Sequence, residues 1–328
     1  MRAFVVTGPG EAGPAEVAEP VAGVGEVVVD VERAGVCGTD VEFFTGEMQY
    51  LADGHARYPM RLGHEWCGTV SQAGPGVHPA WVGRRVTGDT MLGCGECRRC
   101  RSGRQHVCAD RQEVGIRGGR AGALAERLAV PVRSLHELPD GVDPVAGALV
   151  EPGGNACRAA RAAAGERVLV LGPGTIGLLT ALFLRAAGSE VHLVGATPWS
   201  VEFARGLGFS AGTRVPEPPF DAVVDATGDP ASPALAADVV EPAGRIVCIG
   251  LSGRPSMLDT RTLALKDVTA IGVLSGSPGL EQAIDAYASG EVDPRPLVAA
   301  TVGLGEVAAV LGGERPAGAP KIHVDPRR

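Results

Sequence analysis

The chain has 328 residues, of which 45% are hydrophobic and 21% charged, and its formal net charge is -8. Such a composition is typical of a folded, water-soluble protein and excludes a largely disordered or fibrous chain. The length predicts two domains that share a cleft. The acidic balance argues against a nucleic-acid-binding protein, which needs a basic face to displace counterions from phosphates.

Two features predict a cytoplasmic protein without a membrane span. The amino-terminal MRAFVVTGPG has an apolar run too short for a secretory signal, and the longest apolar run, residues 168–184, is interrupted by glycines and a proline. The eight cysteines are expected to be metal ligands or free thiols, because the cytosol keeps thiols reduced.

The first third of the chain is predicted to form a closed or sandwich-like β domain. It is rich in Gly and Pro, helical periodicity is scarce, and β-branched runs occur at 27–31, 68–71 and 85–87. In this domain, Cys37 lies in GVCGTD and His64 lies in LGHE. Glu151 begins an EP step at the predicted junction between the two domains.

These three residues form a candidate catalytic metal site. A thiolate, an imidazole and a carboxylate are ordinary zinc ligands, and three protein ligands leave a fourth position for water or substrate. A lone buried Cys or His is more often structural, so the interpretation depends on the other motifs of the chain.

Four cysteines form a second cluster, which is local. Cys94, Cys97, Cys100 and Cys108 have the spacing C-x2-C-x2-C-x7-C. Four thiolates this close can surround one tetrahedral zinc ion completely, so the lobe 93–109 is predicted to hold a structural zinc. An iron–sulfur cluster and a DNA-reading zinc finger are the alternatives; the first lacks a terminal Cys-Pro, and the second lacks a following recognition helix. The arginines between positions 98 and 120 are interpreted as a solvated face.

From about Ala156 the pattern changes to repeated strand, glycine turn and helix, which is typical of a parallel sheet with crossover helices. Strands are predicted at 167–171, 191–194, 221–226, 245–249 and 269–273. Near Gly290 short segments return, and the closing KIHVD is predicted to add a strand to the first domain.

A glycine-rich turn predicts a dinucleotide site in this second half. Gly172, Gly174 and Gly177 form G-x-G-x-x-G between the apolar VLVL and the helical TIGLLTALFL, which begins with Thr175 and Ile176. The first glycine permits the tight turn, the second lets the backbone approach a pyrophosphate, and the third permits close helix packing. The helix N-terminus then attracts the anion.

The motifs together resemble the zinc-containing medium-chain dehydrogenase/reductase superfamily of alcohol, polyol and sugar dehydrogenases, in the family's order and over nearly the whole chain. The resemblance implies an α/β protein with a β-rich GroES-like catalytic domain at 1–153. A Rossmann domain with a doubly wound parallel sheet is implied at 154–289, followed by a return to the catalytic domain at 290–328. It also implies two zinc ions per chain and NADP or NAD. A homodimer or homotetramer is expected by analogy.

The resemblance assigns roles around the catalytic zinc. Cys37, His64 and Glu151 match its ligands, Glu65 matches an alternating or neighbouring carboxylate, and Asp40 would orient His64. Simple ethanol-type enzymes have a cysteine as third ligand, so the glutamate resembles the polyol, sugar and threonine branch instead.

Three further residues have implied roles near the substrate. Thr39 matches a relay hydroxyl. Glu42 stands where many relatives have histidine, and in having a glutamate there the chain is similar to archaeal glucose dehydrogenases. Glu113 resembles a sugar-contacting or zinc-approaching carboxylate. As the alternative, Glu42 and Glu113 are solvated surface charges.

The cofactor-binding positions favour NADP slightly over NAD. Gly195 occupies the position where an Asp or Glu would bind the adenosine ribose and repel a 2'-phosphate. The residues that follow resemble the G-S-R-P of NADP-preferring relatives, except that Thr197 replaces the arginine. Arg205 is a candidate for the missing charge or a solvent-facing helix residue. The predicted cofactor-binding set also contains Ala196, Thr197, Thr227 and Val273.

The leading functional prediction is hydride transfer between NAD(P) and a secondary alcohol or ketone of a polyol, sugar or cyclitol. A threonine-type dehydrogenase acting on a β-hydroxy amino acid is one alternative. A non-catalytic cofactor-binding relative is another, which the intact candidate ligands disfavour. The segment 208–220 is shorter than in typical relatives, so one crossover is predicted to be trimmed, with apolar surface either exposed or covered by another subunit.

Overall fold

The computed structural model describes residues 1–314 and 316–328. The chain forms two compact units: Met1–Glu151 with Ala283–Arg328, and Pro152–Gln282. The strands are β1 (Arg2–Gly8), β2 (Glu11–Glu16), β3 (Glu26–Gly35), β4 (Met60–Arg61), β5 (Glu65–Ala73), β6 (Arg85–Gly88), β7 (Met91–Leu92), β8 (Gln112–Glu113), β9 (Arg127–Pro131), β10 (Leu135–Glu137), β11 (Arg167–Leu171), β12 (Glu190–Val194), β13 (Ser210–Gly212), β14 (Phe220–Asp225), β15 (Val240–Cys248), β16 (Thr269–Gly272), β17 (Val298–Val302) and β18 (Lys321–Val324).

The α-helices connect or cover these strands. They are α1 (Gly38–Thr45), α2 (Gln49–Ala52), α3 (Arg98–Arg101), α4 (Pro144–Ala148), α5 (Val150–Ala162), α6 (Thr175–Ala186), α7 (Pro198–Gly206), α8 (Ser232–Val239), α9 (Thr260–Lys266), α10 (Leu280–Ser289) and α11 (Val307–Leu311). In the described part of the chain, no helix has the length and apolar character needed to cross a membrane.

The first unit is built around a mostly antiparallel sheet with the order β10-β6-β5-β3-β18-β17, and β9 also pairs with β3. Valines dominate β3, and their side chains belong to a core that includes Phe4, Trp66 and Leu128. The closing strand predicted from KIHVD is β18, which pairs antiparallel with β3 so that His323 lies opposite Gly35. The last residues of the chain therefore pack beside the strand that leads into GVCGTD.

The second unit contains the predicted parallel sheet, in the order β13-β12-β11-β14-β15-β16. The strand order reverses at β11. β12 pairs with one edge of β11, and β14 pairs with the other edge. This reversal is the place where doubly wound sheets bind ligands. In the segment 208–220, β13 is present with only three residues. Within this described segment, residues 213–219 lead into β14 without forming a helix.

Candidate active site

Asp40 connects the two loops that carry Cys37 and His64. The Cys37 N–H donates to Asp40 Oδ2 at 2.9 Å, and this contact caps the start of α1. The Gly63 N–H donates to the other oxygen, Oδ1, at 3.2 Å. Gly63 has φ +96°, and a Cβ there would lie 2.7 Å from the Leu124 nitrogen, so the close approach requires glycine.

His64 is buried among negative groups. Its Nδ1 lies 3.7 Å from Asp40 Oδ1, an ion-pair distance that is too long for a hydrogen bond. This Nδ1 has no hydrogen-bond partner among the described residues. Burial alone would lower the pKa of His64, but the charges of Asp40, Cys37 and Glu151 raise that pKa well above its ordinary value. A cation is therefore favoured at this position.

The donor atoms here fit a zinc ion. Cys37 Sγ, a ring nitrogen of His64 and a carboxylate oxygen of Glu65 all lie within 4.8 Å of one another. Thiolate, imidazole and carboxylate are the ligand types that zinc takes at catalytic sites. Glu65 thus joins the Cys–His pair in this compact group, whereas the predicted third ligand, Glu151, is not among its three members.

Glu65 is held by a buried lysine. Lys321 Nζ donates to both Glu65 carboxylate oxygens, at 2.7 and 2.8 Å, and to the Val36 carbonyl at 3.0 Å. Only 4% of the lysine side chain and 3% of the glutamate side chain are exposed. Burial alone would lower the pKa of Lys321, but the charges of Glu65 and Cys37 raise it. The ammonium group thus neutralises Glu65 in this structure.

Glu151 lies in the first turn of α5 and is 8% exposed. Thr90, just after β6, connects it to the histidine: its Oγ1 lies 3.3 Å from Glu151 Oε1 and 3.1 Å from the His64 carbonyl oxygen. The charge of Glu151 also helps to raise the pKa of His64. The Glu151 carboxylate therefore lies close enough to the imidazole to influence it.

The remaining predicted substrate residues have different environments. Thr39 is half-buried in the first turn of α1, whereas Glu42 is exposed on the same helix. Desolvation by the surrounding protein, followed by the charge of Glu47, raises the pKa of Glu42. Glu113 is 1% exposed, so the interpretation of Glu113 as a solvated charge is wrong. It accepts hydrogen bonds from Arg111 Nε at 2.7 Å and from the Tyr50 hydroxyl at 3.4 Å.

The four-cysteine lobe also fits zinc. Sulfur–sulfur distances are 3.9 Å for Cys94–Cys100, 3.6 Å for Cys97–Cys100 and 3.8 Å for Cys97–Cys108. Thiolates at the corners of a tetrahedron with Zn–S bonds of about 2.3 Å are about 3.8 Å apart. None of these four cysteines forms a disulfide bond. The spacing therefore suits a single ion, and an iron–sulfur cluster, with several metal atoms between its ligands, would need a wider arrangement.

Backbone N–H groups prepare this lobe to hold thiolates. Those of Glu96 and Cys97 lower the pKa of the Cys94 thiol to about 7, and that of Cys100 lowers the pKa of Cys97. Desolvation instead raises the pKa of Cys100 to about 12. A metal that binds four sulfurs would have to displace that last proton.

The glycine fingerprint has the geometry that its spacing predicts. Gly172 has φ +89°, and a Cβ there would lie 2.8 Å from the Thr227 side chain. A Cβ on Gly177 would lie 1.9 Å from the Gly172 carbonyl, whereas one on Gly174, the N-cap of α6, would meet nothing within 4 Å. The start of α6, with Thr175 and Ile176, is therefore open to a pyrophosphate.

The residues predicted to bind the adenosine part of the cofactor make several contacts with one another and with their neighbours. A Cβ on Gly195 would lie 2.6 Å from Ser200 Oγ, so any side chain at this position would require a neighbour to move. Thr197 caps α7 by accepting from the Ser200 N–H at 3.2 Å, and Ala196 is exposed beside it. Arg205 pairs with Glu202 at 2.7 Å and donates to the Ala211 carbonyl at 3.1 Å.

Thr227 and Val273 follow the carboxyl ends of β14 and β16. The Thr227 hydroxyl donates to Asp225 Oδ1 at 2.7 Å, and the Val273 N–H donates to the Cys248 carbonyl at 3.0 Å. Burial raises the pKa of Asp225 despite its hydrogen bonds with Thr227. Both residues thus lie at the sheet edge where a dinucleotide is expected.

Comparisons with known proteins identify the family of the chain. The family profile for the alcohol dehydrogenase GroES-like domain matches residues 23–140, and that for zinc-binding dehydrogenases matches residues 175–289. A 2-dehydro-3-deoxy-L-galactonate 5-dehydrogenase from Pseudoalteromonas atlantica is 33% identical over 88% of this chain and 87% of its own. The chain belongs to the zinc-type medium-chain dehydrogenase/reductase family. The predicted family, the fold class and the activity as an NAD(P)-dependent alcohol dehydrogenase are confirmed.

Further relatives of this dehydrogenase differ in substrate and cofactor. An L-threonine 3-dehydrogenase from Saccharopolyspora erythraea is 32% identical over 83% of each chain. A short chain alcohol dehydrogenase of E. coli CFT073 complexed with NADH superposes with a TM-score of 0.90 at 25% identity, over 99% of both chains. A zinc-binding dehydrogenase of Sinorhizobium meliloti bound to NADP superposes with a TM-score of 0.89 at 28% identity, also over 99% of both chains.

Sequence reasoning missed three partners of the predicted site residues in this dehydrogenase. Thr90 contacts Glu151, Lys321 contacts Glu65, and Tyr50 contacts Glu113. Lys321 had the clearest signal, because it is one of only two lysines in the chain and stands in an apolar strand. The other two contacts join positions more than 60 residues apart and have no local signal.

Proposed function

We propose that this dehydrogenase transfers hydride between NAD(P) and a secondary alcohol or ketone on a polyol, sugar or cyclitol. The observation that carries the proposal is the buried group of Cys37, His64 and Glu65, with Glu151 next to it. This donor set has enough ligands for zinc and one carboxylate more than a four-coordinate open site needs. The hydroxylated sugar acid in the name of the Pseudoalteromonas relative supports the substrate class.

The residues of the site have distinct proposed roles. A bound zinc ion would supply Lewis acidity that lowers the pKa of a substrate alcohol. Cys37, His64 and Glu151 would hold it, and Asp40 fixes the first two through its contacts with their loops. Thr39, half-buried on α1, is proposed as the relay hydroxyl.

We also propose a structural zinc on the four cysteines and a slight preference for NADP. The absence of an acidic side chain at Gly195 supports NADP, because no carboxylate there would repel a 2'-phosphate. Arg205, the candidate contact for that phosphate, forms an ion pair with Glu202.

Oxidation of a β-hydroxy amino acid is the second candidate function. It is supported by the Saccharopolyspora relative, named an L-threonine 3-dehydrogenase, at 32% identity. A homodimer or homotetramer is proposed as well, since β16 is a sheet edge and Met257 and Leu265 are 84% and 74% exposed nearby in the sequence. The eight free thiols support a reducing, cytoplasmic location.

Metal analysis and a substrate panel test these proposals together. We expect two zinc ions per chain, and nicotinamide absorbance changes with polyols, sugars, cyclitols or L-threonine in the presence of NADP or NAD. Cys37→Ser should remove one zinc and abolish turnover, whereas Cys248→Ser, in the second unit, should change neither. Full activity of Cys37→Ser, or turnover by enzyme stripped of that zinc, would refute the proposed site.

A further inference from the structure

A large cavity in the first unit lies outside the proposed zinc site. Its volume is about 870 Å³, and its lining combines residues from β1 and β4 with the loops at 54–59 and 109–121. None of the candidate zinc ligands is among the lining residues. A volume of this size is in the range of small-molecule sites in proteins.

Positive charge dominates the lining. Five arginines line the cavity, namely Arg57, Arg61, Arg111, Arg117 and Arg120, whereas Asp110 is the only carboxylate among the lining residues. Two of the arginines are neutralised, since Arg111 pairs with Glu113 and Arg120 with Glu26. The other three have no carboxylate oxygen within 4.0 Å among the residues that the structure describes.

Arg61 is the most informative of these three. It ends β4, is half-buried, and its guanidinium makes no hydrogen bond or ion pair within the described chain. Desolvation lowers the pKa of Arg61. A partly desolvated guanidinium without a counter-charge is less favourable than a paired one, so a negatively charged ligand in the cavity would stabilise it.

The surrounding contacts hold neighbouring arginines in place. The Arg117 guanidinium lies 5.5 Å from the centre of the Tyr50 ring, and the Tyr50 hydroxyl accepts from Arg111 at 3.1 Å. Arginines fixed in this way lose less side-chain freedom when an anion binds, and their planar forks match carboxylates and phosphates. In a chain whose net charge is -8, this concentration of unpaired positive charge is a local exception.

We propose that this cavity binds a small anion through carboxylate or phosphate oxygens, with Arg61 and Arg117 as its principal contacts and Arg57 at the exposed side. The anion is either an acidic group carried by the substrate itself or a separate ion that occupies the cavity alone. The proposal does not depend on the proposed hydride transfer, because it rests on the cavity and its charges.

Calorimetric titration of the zinc- and NADP-loaded enzyme with inorganic phosphate tests the proposal. We expect saturable binding at one site per chain in low salt, and Arg61→Gln should weaken it about tenfold or more. Arg117→Gln, at a half-exposed position, should also weaken binding and serves if Arg61→Gln does not fold. Arg98→Gln, an exposed arginine of the cysteine lobe outside the cavity, is the matched control and should bind as the wild type does.

Competition separates the two sources of the anion. Displacement of phosphate by D-gluconate but not by its neutral counterpart D-sorbitol supports an acidic substrate, whereas displacement by neither supports a separate ion. Absence of saturable phosphate binding, or unchanged affinity in both Arg61→Gln and Arg117→Gln, overturns the proposal. Hydride transfer measured on the same preparations keeps the tests distinct, because the cavity proposal can fail while zinc content and turnover remain normal.

Discussion

The two candidate metal sites of this protein are assembled in different ways. The four cysteines lie within residues 94–108, and their sulfurs are already 3.6 to 3.9 Å apart in the pairs that touch. The Cys37 and His64 group instead needs a loop after β3, the start of β5 and a lysine from β18. The first cluster is specified locally, whereas the second is a product of the folded sheet.

Glu151→Ala tests the assembled cluster and should have the largest effect. Removal of a proposed zinc ligand should reduce kcat by about 10³-fold or more, because the Lewis acid is lost or misplaced. Steady-state turnover and zinc content measure this, with exposed Glu291→Ala as the control. Turnover near that of the wild type would show that Glu65, which lies within 4.8 Å of the Cys–His pair, is the working carboxylate instead.

Lys321→Met tests how far the assembled cluster depends on the end of the chain. It leaves the buried Glu65 carboxylate without its counter-charge, so the free energy of unfolding should fall by about 3 to 5 kcal/mol. Urea denaturation measures the loss. The double variant Glu65→Gln/Lys321→Met should recover part of it, since no uncompensated charge remains. A loss below about 1 kcal/mol in the single variant would contradict a tight ion pair.

Cys97→Ser tests the local cluster. Loss of one thiolate should release the structural zinc and lower the free energy of unfolding by about 2 to 5 kcal/mol, if the metal cross-link is comparable to a native disulfide. Denaturant unfolding and zinc analysis measure the change, and Cys248→Ser serves as the control. An unchanged unfolding midpoint would mean that the lobe does not depend on its metal.

The difference between a locally encoded site and one assembled from distant segments explains what could be predicted from the sequence. The cysteine spacing, the glycine fingerprint and most sheet strands are short-range patterns, and the structure shows β11 at the residues predicted, Arg167–Leu171. The predicted Cys37 and His64 are brought together, and the compact group that they form includes Glu65. That outcome depends on the register of β3, β5 and β18 and on the buried position of Lys321, none of which a local pattern encodes.

Helix α1 shows a second limit of sequence reasoning. Helical periodicity is weak around Cys37, yet Gly38–Thr45 is helical because Asp40 caps it through the Cys37 N–H. The same aspartate accepts from the Gly63 N–H, so one side chain both starts a helix and positions the histidine loop. Such a double role is visible only when the two segments are seen together.

The smallest expected effect is that of replacing Thr90, whose hydroxyl supports a proposed zinc ligand from outside the ligand set. Its hydroxyl lies between the His64 carbonyl and Glu151, so Thr90→Val should loosen the proposed ligand without changing side-chain volume much. Zinc affinity, measured by competition with a chelator, should fall about tenfold, as is usual when a partner of a metal ligand is removed.

Thr87→Val is the matched control for this prediction. Thr87 is equally buried, and its hydroxyl donates to the Trp66 carbonyl at 2.6 Å rather than to a proposed ligand. It should therefore cost stability through a lost hydrogen bond while zinc affinity stays at the wild-type value. Thr90→Ser, which keeps the hydroxyl, should restore most of the affinity. Equal zinc affinities in Thr90→Val and Thr87→Val would mean that Thr90 contributes packing alone, and that the assembled site needs no support beyond its own ligands.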